Sequence, residues 1–319
     1  MTLNVLVIGT GAVGGFYGAL LAKAGARVSV LCRSDYTEVK QHGFSINSTL
    51  GTWQFKPEQV LAKLSDYQGI ADVVLLCTKI IPAIDRVALI REAVGDNTAI
   101  VFIQNGVAIE AELQTAFPNN EVVSALAFLC CNRTAPGQIQ HLAYGRLVLG
   151  NLPGFVSAKT EQLAELFRQA GIACETTADI VAARWQKCIW NAPFNPLSVL
   201  SGGLPTLAIL QSQDALVRAI MQEVVAIAAA SGHHFAEDII DKNIDMTYNM
   251  PPYKTSMLLD FERGQAMETE AILGNAVAAG RQLGVPCPRL ESLYGLMQLR
   301  ELALISADKT DVTQTISEV

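Results

Sequence analysis

The chain has 319 residues, 50% of them hydrophobic and 17% charged, with a formal net charge of -7. That is enough apolar sequence for two cores. An acidic balance without a Lys/Arg cluster argues against a nucleic-acid partner, and no apolar run reaches the roughly 18 residues of a membrane span. The seven cysteines are scattered without a C-x-x-C pair, and the four histidines lack ligand spacing. Free thiols in a reducing compartment, a cytoplasmic protein and no metal site are therefore expected. The first strand begins by Leu3, so no signal peptide is expected.

That first strand, Asn4–Ile8, runs straight into Gly9-Thr10-Gly11-Ala12-Val13-Gly14. A G-x-G-x-x-G run between a strand and an apolar helix, here expected over 13–24, is a dinucleotide fingerprint. Its glycines allow a tight turn, close approach to a pyrophosphate and close helix packing, and the helix start offers free amides to the phosphates. Strands follow at 27–32, 71–78 and 97–103, with helices near 82–93 and 107–117. Later strands are expected at 121–130 and 146–150 around a Pro136-Gly137 turn. A helix after Ser157 and a short strand at 172–175 close the series, and 43–60 is expected to hold short strands. This alternation is the pattern of a doubly wound parallel sheet. From Asp179 onward apolar-periodic helices take over, at 180–190, 206–231, 235–246 and 269–283. The reading is a Rossmann-type α/β domain over 1–178 and an all-α domain over 179–305, with a flexible tail at 306–319.

The second strand ends at Arg33-Ser34 rather than at an acid. A guanidinium suits a 2′-phosphate, so NADPH (NADP+) is favoured over NADH, although Asp35 lies close by. A solvated surface charge is the alternative for Arg33. Lys79, after the third strand, is a candidate for a phosphate or ribose contact. Asn105, in the Gln104-Asn105-Gly106 turn after the fourth strand, is a candidate to face nicotinamide and substrate. An ordinary surface lysine and an ordinary Asn-Gly turn are the alternatives.

In the second half, Lys187, Asn191 and Asn195 fall at i, i+4 and i+8. On a helix they share one face, and a lysine amid Trp, Ile and Phe is a candidate proton donor. A solvent-facing polar stripe is the alternative, and Pro193 complicates the helix. Further on, Ser256 and Glu268 lie in polar stretches between apolar helices; a turn residue and a helix-start acid are the alternatives there.

Taken together and in order, these residues resemble the ketopantoate reductase (2-dehydropantoate 2-reductase) family over about residues 3–300. The matching features are the Gly9 to Gly14 fingerprint, Lys79, Gln104-Asn105-Gly106, Lys187…Asn191…Asn195-Pro196-Leu197, Ser256-Met257-Leu258…Asp260 and Arg263-Gly264…Glu268. The chain departs from the family pattern at Pro193, Pro205 and Leu273-Gly274. The resemblance implies NADPH-dependent reduction of ketopantoate to pantoate in pantothenate and coenzyme A biosynthesis. It makes Lys187 the proton donor and Glu268 the carboxylate that holds the lysine and the reacting oxygen. It assigns Asn105, Asn191, Asn195 and Ser256 to the substrate. Arg33, Lys79 and the backbone of a loop near Asn132 are assigned to the cofactor beside Gly9, Thr10, Gly11, Ala12, Val13 and Gly14. A reductase of another 2-oxo acid, a non-catalytic NADP-binding regulator and a flavoprotein are the competing readings. The apolar helices of the second half suit a homodimer.

Overall fold

The computed structural model describes residues 2–250 and 254–317, with side chains described through Leu304. The chain divides into two compact units, Met1–Gln104 with Glu110–Ile180, and Asn105–Ile109 with Val181–Val319. Each has its own core.

The first unit contains, in chain order, β1 (Asn4–Ile8), α1 (Ala12–Lys23), β2 (Arg27–Leu31), α2 (Tyr36–His42), β3 (Phe44–Ser48), β4 (Gly51–Phe55), β5 (Val60–Leu61), β6 (Val73–Leu76) and α3 (Arg86–Ile90). It continues with β7 (Ala99–Ile103), α4 (Ala111–Ala116), β8 (Val122–Ala135), β9 (Gln138–Leu152), α5 (Ala158–Gln169) and β10 (Cys174–Thr176). Among the described residues the strands form one sheet in the order β4-β3-β9-β8-β7-β6-β1-β2-β5, with β10 added on β9. β1 pairs in parallel with β2 on one side and β6 on the other. The parallel series then continues through β7 to β8. Val5, Leu6, Val7 and Ile8 are at most 1% exposed. A strand covered on both faces needs such an unbroken apolar run. The winding reverses direction beside β1, and in open α/β sheets ligands bind at the strand C-termini there.

α1 is apolar around its whole circumference, and every residue from Gly14 to Leu21 is buried. The reason lies in the outer hairpin. β9 pairs with β3 over Gln138 to His141, and Ile139 lies where a Cβ on Gly15 would meet its Cδ1 at 2.1 Å. The helix is therefore covered by the sheet on one side and by the hairpin on the other.

That hairpin is longer than the sequence suggests. β8 and β9 replace the shorter strands expected at 121–130 and 146–150, and Asn132 is a paired strand residue opposite Gln140 rather than part of a loop. The extensions carry polar residues (Asn132, Arg133, Gln138, Gln140), which an apolar criterion passes over. Register shifts at Phe128/Leu129, Cys130/Cys131 and Arg133/Ala135 bend the pair, as bulges do.

The second unit is helical, with α6 (Ile180–Leu200), α7 (Thr206–Ala230), α8 (Ile239–Asn249), α9 (Ser256–Glu262), α10 (Asn275–Leu283) and α11 (Pro288–Ser317). α6 runs through both Pro193 and Pro196, past the expected end at Trp190. Ala192, Phe194, Asn195, Ser198 and Val199 are all buried, so packing outweighs the lost backbone hydrogen bonds. The helix expected over 269–283 is instead a π-turn, Glu270–Gly274, followed by α10. α11 takes in most of the segment expected as a flexible tail. Nothing after Gly295 in that segment is a glycine or proline, so no local signal stops the helix. Among the described residues no helix is long and apolar enough to cross a membrane.

Candidate active site

The glycine-rich turn has the form a dinucleotide needs. Gly9 sits at φ +91°, and a Cβ there would lie 2.7 Å from the Thr78 amide nitrogen. At Gly14 a Cβ would come within 2.3 Å of the Gly9 carbonyl oxygen. Both positions are therefore closed to any side chain. At Gly11, in contrast, a Cβ would have nothing within 4 Å. Gly11 caps α1 without a side-chain hydrogen bond, so the first amides of the helix, at Ala12, Val13 and Gly14, remain available. Open space before uncapped amides at a helix N-terminus fits a pyrophosphate. Thr10 is buried, its hydroxyl 3.2 Å from Cys32 Sγ at the end of β2.

Arg33 is exposed just beyond β2. Lys79 is half-buried after β6, next to Thr78. Gln104 ties this region together: its Nε2 donates to the Thr78 carbonyl at 2.6 Å, and its Oε1 accepts from Arg86 Nη1 at 3.1 Å.

One residue further, the chain joins the other unit. Gly106, at φ +105°, lies flat against the π-turn, where a Cβ would meet the Ala271 carbonyl oxygen at 2.5 Å. The Val107 amide donates to that carbonyl at 3.0 Å, and Asn275 Nδ2 donates to the Val107 carbonyl at 2.8 Å. From α6, buried Arg184 donates to the Gly106 carbonyl at 3.0 Å. Sequence patterns single out neither Arg184 nor Asn275. Each lies close to a motif position, one helical turn before Lys187 and one residue after Gly274, but nothing local marks either as a support.

This seating brings three predicted residues into one line. Lys187 Nζ donates to Asn105 Oδ1 at 2.9 Å, and Asn105 Nδ2 donates to Glu268 Oε2 at 2.9 Å. The two charges orient the amide between them. Flipped, it would turn its NH2 toward the ammonium and its oxygen toward the carboxylate. Glu268 stands two residues before the π-turn, a distortion that recurs at functional sites.

Asn191 and Asn195 follow Lys187 along α6. They are only 8% and 2% exposed, yet among the described residues neither side-chain amide has a partner. Neither amide is among the buried side-chain atoms left without a partner, so both amides reach open space, where a polar ligand could meet them. The Asn195 carbonyl accepts from Ser198 Oγ at 2.8 Å, and that hydroxyl lies 2.7 Å from Thr255 Oγ1. Thr255, not Ser256, caps α9, accepting from the Leu258 amide at 3.1 Å. Ser256 opens the helix with an exposed side chain. Cys188, beside the lysine, is a packing residue: burial pushes its thiol up to about 12, and its Sγ lies 3.6 Å from the Ile272 carbonyl.

The ketopantoate reductase PanE/ApbA family model matches residues 5–154, and its C-terminal counterpart matches residues 179–301. The chain belongs to the ketopantoate reductase family. A 2-dehydropantoate 2-reductase of Nostoc is 33% identical over 299 residues, covering 90% of this chain and 92% of that protein. The crystal structure of 2-dehydropantoate 2-reductase from Methylococcus capsulatus is 58% identical, with a TM-score of 0.91 over 95% of this chain and 98% of that one. The protein is accordingly an oxidoreductase acting on CH–OH groups. The same fold extends further: a D-mandelate dehydrogenase solved with NADH and anilino(oxo)acetate superposes with a TM-score of 0.85 over 94% of this chain and 99% of that one, at 20% identity.

The arrangement also makes a prediction about Glu268. Glu268→Ala removes the acceptor that orients Asn105, so both kcat falls and substrate KM rises. Glu268→Gln keeps an acceptor for Asn105 Nδ2 and recovers part of the KM but not the kcat. Steady-state kinetics of the two variants separates hydrogen bonding from charge. Equal behaviour of both would assign Glu268 a purely electrostatic role.

Proposed function

We propose that this ketopantoate reductase family member reduces ketopantoate to pantoate with NADPH, in the cytoplasmic route to pantothenate and coenzyme A. The observation that carries the reading is the Lys187–Asn105–Glu268 line, with Asn191 and Asn195 following Lys187 at four-residue spacing along α6. A 2-oxo acid offers matching chemistry: a carboxylate and a ketone oxygen that both accept hydrogen bonds. The cofactor, when bound, supplies a hydride. Gly9, Thr10, Gly11, Ala12, Val13 and Gly14 would hold its pyrophosphate, Arg33 its 2′-phosphate, and Lys79 and the backbone at Asn132 would lie along it.

In the reaction, the ketone carbon accepts the hydride and the C=O π electrons move onto oxygen. Lys187 Nζ gives that oxygen a proton, leaving a neutral amine that solvent reprotonates. General acid catalysis of this kind is worth about 10²–10⁴-fold. Asn105 keeps the ammonium in place from one side while Glu268 anchors the amide from the other. Asn191, Asn195 and Ser256 supply donors for the carboxylate and the C4 hydroxyl of ketopantoate. A regulator that merely binds NADP would have no use for this line. A homodimer belongs to the same proposal, supported by Leu296, Leu299 and Leu302, exposed at helical spacing on α11.

The deciding experiment is ketopantoate-dependent loss of NADPH absorbance, run beside a panel of other 2-oxo acids. A kcat/KM for ketopantoate far above every other acid supports the reading. The competing reading is a reductase of a different 2-oxo acid, which the same panel would reveal. For the cofactor, Arg33→Ala is expected to raise the NADPH KM about ten- to a hundredfold, the equivalent of one charge-assisted hydrogen bond, with little change for NADH. Equal losses for both cofactors would return Arg33 to the solvated surface.

A further inference from the structure

In dinucleotide enzymes that prefer NAD, an acid near the tip of the second strand binds the ribose 2′-hydroxyl. This chain has such an acid, Asp35, two residues beyond Arg33. It is nevertheless turned inward, only 3% exposed. Its Oδ2 accepts the Gly137 amide at 3.0 Å from the turn of the β8–β9 hairpin. Its Oδ1 accepts Ser34 Oγ at 2.7 Å and is ion-paired at very short range with Arg133 Nη1. The same Nη1 also donates to Ser34 Oγ at 2.9 Å, so one guanidinium closes the group. Gly137 in turn is held by β3, where the Ser45 amide donates to its carbonyl at 2.8 Å. Arg133 is partly exposed, with 33% of its side chain accessible, whereas the acid it covers is not.

We infer that the Arg133–Asp35 pair is a cofactor-specificity device, in which Arg133 sequesters the one carboxylate at the β2 tip and leaves Arg33 alone to meet a 2′-phosphate. The inference rests on the NADPH reading above. Its physical basis is the cost of a buried, unpaired charge. Without Arg133, the carboxylate loses its cation and gains by swinging toward water. There it repels a 2′-phosphate and accepts from a ribose 2′-hydroxyl. Arg133 is thus a positioning residue. It acts through Asp35, and its expected signature is a change in the ratio of two cofactors, not in catalysis.

The test is binding of NADP+ and NAD+ to the full-length protein, by calorimetry, for wild type, Arg133→Met, Arg133→Lys, Asp35→Asn and the Arg133→Met/Asp35→Asn double variant. Wild type is expected to bind NADP+ more tightly. Arg133→Met should weaken NADP+ by about tenfold while leaving NAD+ unchanged or tighter. Arg133→Lys, which keeps the charge, should stay near the wild-type ratio. The double variant should return most of the NADP+ affinity, because the carboxylate that Arg133 covers is gone. Thermal midpoints show whether each variant is folded. Equal weakening of both dinucleotides in Arg133→Met, or no recovery in the double variant, overturns the inference and makes the pair a brace for the hairpin. A wild-type protein that binds NAD+ as well as NADP+ instead overturns the NADPH reading itself, and the inference falls with it.

Discussion

Lys187→Ala is expected to lower kcat by at least about a hundredfold and to leave cofactor affinity almost unchanged. The amine lies 2.9 Å from Asn105 Oδ1, at the end of a hydrogen-bonded line that begins at Glu268. Negative charge appears on the substrate oxygen only as the hydride adds, so a proton donor there acts mainly on the transition state. The dinucleotide fingerprint belongs to the other unit, which is why binding of NADPH is spared. Lys187→Arg keeps a cation but not a usable acid, since a guanidinium does not give up its proton in this range. It should therefore recover substrate binding without recovering turnover. Steady-state rates, with single-turnover runs to isolate the chemical step, check both statements. Turnover close to wild type in Lys187→Ala would make Lys187 structural and require another proton source.

Gly106→Ala is the second change with a large expected effect, although Gly106 carries no functional group. Its φ of +105° is unfavourable for any L side chain, and the new methyl would stand 2.5 Å from a backbone oxygen and 2.7 Å from Ala271 Cβ. Neither contact is with a flexible side-chain end, so relief requires the loop to lift from the π-turn. Overpacking and strained backbone together cost about 2–5 kcal/mol. Lifting also breaks the Val107–Ala271 bond and moves Asn105 away from Glu268 and Lys187. The variant should show a lower thermal midpoint together with a kcat reduced more than about tenfold. Gly232→Ala is the matched control. Gly232 also has a positive φ, +90°, but nothing lies within 4 Å of its Cβ position. It should lose a little stability and keep its kinetics. If Gly106→Ala behaves like Gly232→Ala, the seating of Asn105 does not depend on that close contact.

Much of this was legible in one dimension because its physics is local. β1 reads as a buried parallel strand since four consecutive apolar residues leave no polar face. Gly9 and Gly14 announce their turn because only glycine fits there. The Lys187, Asn191, Asn195 series follows from helical spacing, given a helix that survives Pro193. Whether it survives was not legible, because the answer depends on packing around Ala192, Phe194 and Val199. The polar ends of β8 and β9 were missed for a similar reason. Asn132, Arg133, Gln138 and Gln140 become strand through pairing with each other and with β3, and no hydrophobic alternation records that. Asp35 shows the limit most clearly. Read along the chain it counts against a 2′-phosphate, whereas in space Arg133, 98 residues away, takes it out of play.

The sequence by itself determined the class of the molecule: a glycine-rich turn after an apolar strand, a βα alternation, then helices, and the order of motifs that marks the family. Each of these is a short-range pattern, set by steric exclusion, by the period of a helix or strand, or by an amide at a helix start. Tertiary structure alone decided what Asn105 does. Its partners lie 82 and 163 residues further along the chain, and nothing near Asn105 specifies either of them. The five residues Asn105–Ile109 leave the sheet unit and join the helical one because Gly106 and Val107 dock on the π-turn. Hydrogen bonds of about 3 Å demand that close seating, and only the packed fold can supply it.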